Sequence, residues 1–169
     1  MRRKRAMLLV FVLALAPLAL VRAQVKTQAA AAGRTLKVKL NYTGAGTVDE
    51  KHKIYVLLFD ANPFTASTLV DSTSEPIPPA PTPGVSHILV RQGAAAKDTT
   101  LTFRNLPVSP VFAVAFYDKN GNYNGQLDQI AGSPMGVYGK LPDKLEPIKI
   151  EEGNTLEIVL AFNDSAATP

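Results

Sequence analysis

Short apolar runs with a two-residue period are the feature that most restricts how this chain can fold. Apolar Leu36, Val38 and Leu40 alternate with polar side chains, which is typical of a half-buried strand. Ile54–Phe59 and Val111–Tyr117 are nearly continuous apolar runs rich in strand-forming residues, which predicts central strands buried on both faces. Beyond residue 23, no stretch has a convincing helical period.

Turn signals recur between these runs. Val85–Val90 and Thr99–Phe103 are predicted as two further strands, and Ile148–Ile150 with Thr155–Phe162 as a closing hairpin around a Glu-Gly-Asn turn. Short strands with frequent turns are typical of two packed sheets. The sequence therefore predicts an all-β fold, an antiparallel β-sandwich of about seven strands.

The segment Asp60–Gly84 is predicted to be irregular. It closes with five prolines, which remove amide donors and exclude an interior strand. We expect a rigid surface crossover between the two sheets, and a docking site for an aromatic-lined groove is the alternative. The apolar Phe64, Leu69 and Val70 are expected to hold the segment against the core.

The first 23 residues have the pattern of a secretory signal peptide. Met1–Arg5 carries four positively charged side chains, the apolar run Ala6–Val21 follows, and Ala23 precedes the expected cleavage site. A membrane anchor is the alternative, but a spanning helix needs roughly 20 apolar residues and Pro17 interrupts this shorter run. The sequence therefore predicts a secreted or periplasmic protein, with a disordered leader over 24–34, a β-sandwich domain over 35–163 and a C-terminal tail over 164–169.

The charge of the chain lies largely in this predicted signal. The whole chain has 18 Lys and Arg residues against 14 Asp and Glu residues, a net charge of +4. Five basic residues and no acidic ones lie in residues 1–23, which leaves 13 basic and 14 acidic residues, a net charge of −1. A nucleic-acid partner therefore has no electrostatic support. The chain has no cysteine, which excludes thiol catalysis and cysteine-based zinc sites.

A loop rich in oxygen-bearing side chains follows the predicted strand that ends at residue 117. Asp118, Asn120, Asn122 and Asn124 place carboxylate and amide oxygens at every second position, and Asp128 is placed to supply a second carboxylate. Hard cations such as Ca²⁺ take roughly six to eight oxygen ligands of this kind. The pattern predicts a weak calcium site as one of two interpretations.

The second interpretation is a pair of tight turns without metal. Asn120-Gly121 and Asn124-Gly125 are strong turn formers because both residue types tolerate left-handed backbone angles. The comparison with an EF-hand loop also fails at two places. Tyr123 stands where that loop needs glycine, and Gln129 stands where it needs glutamate.

Three motifs in this order resemble a family of secreted bacterial proteins known as a domain of unknown function. They are Thr102–Pro107 with its "NLP" corner, Phe112–Asn122 with its DKNGN loop, and Gly132–Gly139 with its GSPMGVYG segment. The resemblance covers roughly residues 36–162. It implies an Ig-like or transthyretin-like sandwich, similar also to carboxypeptidase regulatory-like domains, and it implies no established activity.

The chain departs from the family pattern at three places. Tyr117 replaces the histidine of the "HDxNGNGxxD" loop, and the loop itself is longer. Met135 and Gly136 stand where the "GxPxExYGF" segment has its glutamate. A function that depends on that histidine and glutamate is therefore expected to be lost here.

No constellation of residues predicts catalysis. The two histidines, His52 and His87, lie outside metal-ligand patterns and are expected to face solvent. Tyr123 and Tyr138 flank the loop and predict a platform for a sugar or peptide, with core packing as the alternative for Tyr138.

The sequence therefore predicts a non-enzymatic binding or scaffolding module whose partner is a protein or glycan of the cell envelope. One alternative is an envelope hydrolase, which a pocket joining His87, Asp118 and a serine would favour. The other is a protein whose sheet edge pairs with a partner strand, which an exposed and unprotected edge would favour. No nucleic-acid partner and no membrane span after signal cleavage are predicted.

Overall fold

The computed structural model describes residues 33–76, 79–140 and 144–165. The predicted signal peptide, almost all of the predicted leader and residues 166–169 of the tail lie outside these ranges. Within them the fold is nearly all β, with one short 3-10 helix at Leu127–Ile130, so the all-β prediction is confirmed. In the described ranges no helix is long and apolar enough to cross a membrane.

Ten strands form the described part of the chain. They are β1 (Arg34–Tyr42), β2 (Ile54–Phe59), β3 (Thr68–Asp71), β4 (Val85–Ala94), β5 (Asp98–Leu106), β6 (Phe112–Tyr117), β7 (Met135–Val137), β8 (Gly139–Lys140), β9 (Lys144–Leu145) and β10 (Thr155–Phe162).

The strands assemble into three sheets. One has the order β10-β1-β5, the second has the order β3-β4-β2-β6-β7, and β8 and β9 form a small two-stranded sheet. The prediction of purely antiparallel pairing is wrong, because β1 pairs with β10 and β3 pairs with β4 in parallel. The predicted closing hairpin is also wrong, since Ile148 bridges to Val111 while β10 lies along β1. A two-residue period specifies which face of a strand is buried, but it does not specify the neighbour.

The three-stranded and five-stranded sheets share one hydrophobic core. Alternate side chains of β1, β5 and β10 point towards β2, β4 and β6, as the two-residue period predicts. The fully buried members include Leu36, Val38, Leu40, Ile54, Val56, Leu58, Phe103 and Leu160.

The five-stranded sheet is also apolar on its outer face, the face turned away from the three-stranded sheet. Leu57 and Phe59 of β2 and Val114 and Phe116 of β6 are buried there in a second cluster. The prediction that these two strands are buried on both faces is therefore confirmed. A second layer must cover this face, because the burial of one large apolar side chain contributes about 1.5–3 kcal/mol to the free energy of folding.

The segment Asp60–Gly84 differs from its prediction in two ways. It joins β2 to β4 within the five-stranded sheet, so it is not a crossover between sheets. Phe64, Leu69 and Val70 are 36%, 39% and 38% exposed, so they do not pin the segment to the core. The prediction that this segment forms no interior strand is confirmed, because its strand β3 lies at the edge of the five-stranded sheet.

A buried pair of side chains ties the end of β2 to β4. His87 is only 7% exposed, so the expectation that it faces solvent is wrong. Its Nδ1 lies 2.7 Å from Oδ2 of Asp60, and its main-chain N–H donates to Oδ1 of the same carboxylate at 2.7 Å. Asp60 directly follows the last residue of β2, and the pair therefore fixes where the chain leaves the sheet.

We expect Asp60→Ala to lower the free energy of unfolding by about 3 kcal/mol, because the buried ring and main-chain N–H of His87 lose their acceptor. Asp49→Ala is the matched control. Asp49 contacts Nδ1 of His52 at 3.0 Å at the surface, so its loss is expected to change the stability much less than the loss of Asp60. Urea unfolding followed by circular dichroism measures both, and equal losses would contradict a structural role for the buried pair.

Candidate functional site

Asp118 begins a loop that folds back over the outer face of the five-stranded sheet. We call residues 118–134 the cover loop. Its two ends meet, because the N–H of Tyr117 donates to the carbonyl of Pro134 at 2.9 Å. Near its end the loop contains the 3-10 helix, which places Leu127 and Ile130 against the outer apolar cluster. A largely polar stretch of sequence thus supplies apolar side chains as the second layer over the sheet.

The Asp118 carboxylate organises the first turn of the cover loop. This acidic side chain is buried, with 4% exposure. Its Oδ1 accepts the N–H of Gly121 at 2.9 Å and that of Asn122 at 3.4 Å, and its Oδ2 accepts the N–H of Tyr123 at 2.9 Å. Three main-chain donors therefore satisfy a buried carboxylate and hold the turn.

Glycine and amide side chains complete the loop. Gly121 and Gly125 have φ angles of 64° and 108°, in the left-handed region that favours glycine. The N–H of Asn124 donates to Oε1 of Gln129 at 2.9 Å, and Oδ1 of Asn124 accepts the N–H of Gln126 at 3.3 Å. These are the local side-chain bonds that the tight-turn interpretation predicts.

Tyr123 attaches the cover loop to the outer face of the sheet. Its ring centroid lies 4.7 Å from that of Tyr55 and 4.8 Å from that of Phe116, both edge to face. Arg91 lies over the same ring, with Cζ 5.8 Å from the centroid. Its Nη1 donates to the Tyr123 hydroxyl at 3.4 Å and to Oδ2 of Asp71 at 3.1 Å. One guanidinium thus joins the edge strand β3 to the cover loop.

The pKa values at this contact agree with its geometry. Burial raises the pKa of Tyr123, and the hydrogen bond with Tyr123 raises the pKa of Arg91. Burial acts to raise the pKa of Asp71, but hydrogen bonds from Thr73 and the charge of Arg91 leave it below its ordinary value. The stabilisation from Asp71 is therefore present above the ordinary pKa of about 3.9 and is lost as the pH falls through the lower folded value.

The predicted calcium ligands differ in burial and in hydrogen bonding. Asn120, Asn122 and Asp128 are exposed, and the side chain of Asp128 shares no hydrogen-bond donor with the Asp118 carboxylate among the described residues. Across the described ranges, no group of three or more histidine and acidic side chains is arranged to hold a metal ion. The calcium site, which was predicted on two carboxylates and several amides, stays a prediction.

Tyr123 and Tyr138 lie in different layers of the molecule. Tyr123 packs in the outer cluster under the cover loop, whereas Tyr138 packs against the core between the two main sheets. They therefore do not make one flat platform. Ligand binding by either tyrosine stays a prediction.

An apolar groove remains open where the cover loop ends. It has a cavity volume of about 200 Å³ and lies between the 3-10 helix and the segment that follows β2. Its floor belongs to β2, β6 and β7, and one rim carries the exposed Phe64 and Leu69. The groove is lined by Leu57, Phe59, Pro63, Phe64, Leu69, Val114, Leu127, Ile130, Ala131 and Met135, none of which has a polar side chain.

Sequence reasoning missed both the groove and Arg91. The signal for the groove was present, because Leu127 and Ile130 are apolar residues three apart inside a polar loop. Arg91 carried a weaker signal, because it is a charged residue within the partly buried strand β4. Neither signal identifies the surface on which these side chains come together.

Comparisons of this chain with protein-family models, with curated proteins and with solved structures found no match. The family resemblance of the sequence motifs therefore stays a prediction.

We expect Asp118→Ala to lower the free energy of unfolding by about 2–4 kcal/mol, since three main-chain donors lose their acceptor. Asp118→Asn keeps one acceptor oxygen and should fall between this variant and the wild type. Asp128→Ala, in the same loop but exposed, is the control and should change stability by less than about 0.5 kcal/mol. Thermal unfolding with limited proteolysis of the loop measures the effect, and an unchanged Asp118→Ala variant would refute this role.

Calcium titration separates the two interpretations of the loop. A calcium site predicts that millimolar Ca²⁺ raises the Tm of the wild type and that Asp128→Ala removes the rise. We expect no rise, because both oxygens of Asp118 already accept main-chain N–H groups. A calcium-dependent increase in Tm that disappears in the Asp128→Ala variant would establish the calcium interpretation instead.

Proposed function

We propose that this chain is an exported, non-enzymatic binding module that docks on a protein at the cell envelope. We also propose that its two main sheets form a β-sandwich of the Ig-like or transthyretin-like type. The observation that carries the binding proposal is the apolar groove beside the cover loop. Export rests on the signal-peptide pattern of residues 1–23, which lie outside the described ranges.

The chemistry of the groove favours a protein partner over a glycan. All ten lining residues have apolar side chains, whereas a sugar needs several hydrogen-bonding groups in its site. A cavity of about 150 Å³ holds a benzene-sized group, so about 200 Å³ accommodates one large apolar side chain of a partner. Phe64 and Leu69 on the rim then lose the solvent exposure that they have in the free protein.

The arrangement of the polar residues supports binding rather than catalysis. The hydrolase alternative needs His87 and Asp118 in one pocket with a serine. His87 contacts Asp60 at the end of β2, and the oxygens of Asp118 accept main-chain donors of the cover loop. Each of these buried polar groups therefore has a structural partner, and neither His87 nor Asp118 lines the groove.

Substitutions on the rim of the groove test the proposal. The full chain, as processed by the producing cells, is immobilised and exposed to envelope extract, with and without a chelator. We expect Leu69→Lys and Phe64→Ser to reduce specific capture at least about tenfold, because a charge or a lost ring at the rim costs roughly 1.4 kcal/mol or more of binding energy. Both side chains are already partly exposed, so folding should be preserved.

Val70→Lys is the matched control. Val70 is next to Leu69 in β3 and equally exposed, but it does not line the groove. Capture by this variant should equal capture by the wild type. Equal capture by all variants, or no specific capture by the wild type, would count against the groove as the binding site. Loss of capture with the chelator alone would assign binding to the calcium interpretation of the cover loop.

A further inference from the structure

We propose that Asn124 is a site of spontaneous chemical modification, at which the chain converts its own asparagine into isoaspartate or aspartate. The site lies in the cover loop, and the inference does not depend on the proposed binding function. The chain has two Asn-Gly pairs, Asn120-Gly121 and Asn124-Gly125, and both lie in this loop. Their surroundings differ, so each pair is the reference for the other.

The reaction needs only the asparagine side chain, the next main-chain nitrogen and water. The nitrogen of Gly125 gives its proton to solvent and attacks Cγ of Asn124, which closes a succinimide ring. The bond from Cγ to the side-chain nitrogen breaks, and that nitrogen takes up a proton from solvent and leaves as ammonia. Water then opens the ring at either carbonyl, so that the net reaction consumes water and releases ammonia. Glycine obstructs the attack least, because it has no Cβ.

The attacking nitrogen of the second pair is available. Among the described residues, the N–H of Gly125 donates to no acceptor. Asn124 is exposed, so water reaches its side chain. Oδ1 of Asn124 accepts the N–H of Gln126 at 3.3 Å, which holds the side-chain carbonyl beside the main chain that follows it. The same hydrogen bond favours the negative charge that this oxygen gains during the attack.

The attacking nitrogen of the first pair is held by Asp118. The N–H of Gly121 donates to Oδ1 of this buried side chain at 2.9 Å, and this hydrogen bond must break before the nitrogen can attack. The stem of Lys51 also packs on Gly121, where an added Cβ would lie 2.8 Å from its Cγ. The exposed Asn120 is therefore protected through its neighbour, although its own side chain is open to water.

Arg91 favours the reaction at the second pair and is affected by its product. Its Nη1 donates to the carbonyl of Gly125 and to the hydroxyl of Tyr123, both at 3.4 Å. The guanidinium charge beside Gly125 favours the negative charge that the attacking nitrogen carries. Isoaspartate adds a methylene group to the main chain between Tyr123 and Gly125, and so changes the spacing of the two groups that Arg91 binds. The modification therefore loosens the cover loop where it contacts the sheet.

Peptide mapping of the aged protein tests the position of the site. The full chain, as processed by the producing cells, is kept folded in buffer with a chelator and then digested at acidic pH. Electron-transfer fragmentation locates each product and distinguishes isoaspartate from aspartate. We expect Asn124 to react at least about tenfold faster than Asn120 in the folded protein, because only Gly121 is protected. In guanidinium chloride the two rates should converge, since both are Asn-Gly pairs. Equal rates in the folded protein, or a faster Asn120, would overturn the proposal.

Two matched variants separate the pairs. Asn124→Gln should remove most of the isoaspartate formed in the cover loop, because glutamine has to close a larger ring, which forms slowly. Asn120→Gln, at an exposed position of the same loop, should leave the yield unchanged. Asp118→Ala removes the acceptor of the Gly121 N–H and should raise the rate at Asn120 towards that at Asn124. An unchanged yield in the Asn124→Gln variant would refute the assignment of the site.

The effect on the cover loop is measured on the modified protein itself. Anion exchange separates the isoaspartate form, which carries one additional negative charge, from the unmodified chain. We expect a protease to cleave its cover loop at least about threefold faster, because the contacts of Arg91 with Tyr123 and Gly125 are disturbed. Equal cleavage of the two forms would contradict the loosening of the loop.

Discussion

The apolar outer face of the five-stranded sheet is the constraint on which the rest of the structure depends. Strands β2 and β6 are hydrophobic on both faces, so a second layer has to cover what the three-stranded sheet leaves bare. The chain supplies that layer from the loop that follows β6. Asp118 stabilises this geometry. The chain reverses sharply after β6, and the buried Asp118 carboxylate accepts main-chain N–H groups of the turn that would otherwise lack an acceptor.

The polar residues that suggest a functional site in the sequence therefore serve mainly to hold the fold together. Asp118 holds a turn, His87 and Asp60 fix a strand exit, and Arg91 joins the edge strand to Tyr123. An apolar groove that the cover loop does not fill remains open on the same sheet.

The sequence predicts the parts of this fold that depend on local pattern. The runs Ile54–Phe59 and Val111–Tyr117 are doubly buried strands, as their continuous hydrophobicity indicates. The pairing of the strands could not be predicted. β10 pairs with β1 rather than with its neighbour in sequence, and no local period of the sequence encodes that choice. The environment of His87 was missed for the same reason, since Asp60 lies 27 residues away in sequence. The candidate site depends on the same long-range packing, so only the turn residues of the loop could be predicted.

The position of β1 in the middle of its sheet has a consequence for how the protein forms. Its neighbours are β5 and the last strand, β10, which is made more than a hundred residues later than β1. Until that strand arrives, one side of β1 lacks its hydrogen-bonding partner and Leu36, Val38 and Leu40 lack part of their covering. Completion of the three-stranded sheet thus waits for β10, and removal of β10 uncovers one side of the central strand β1 rather than a peripheral strand.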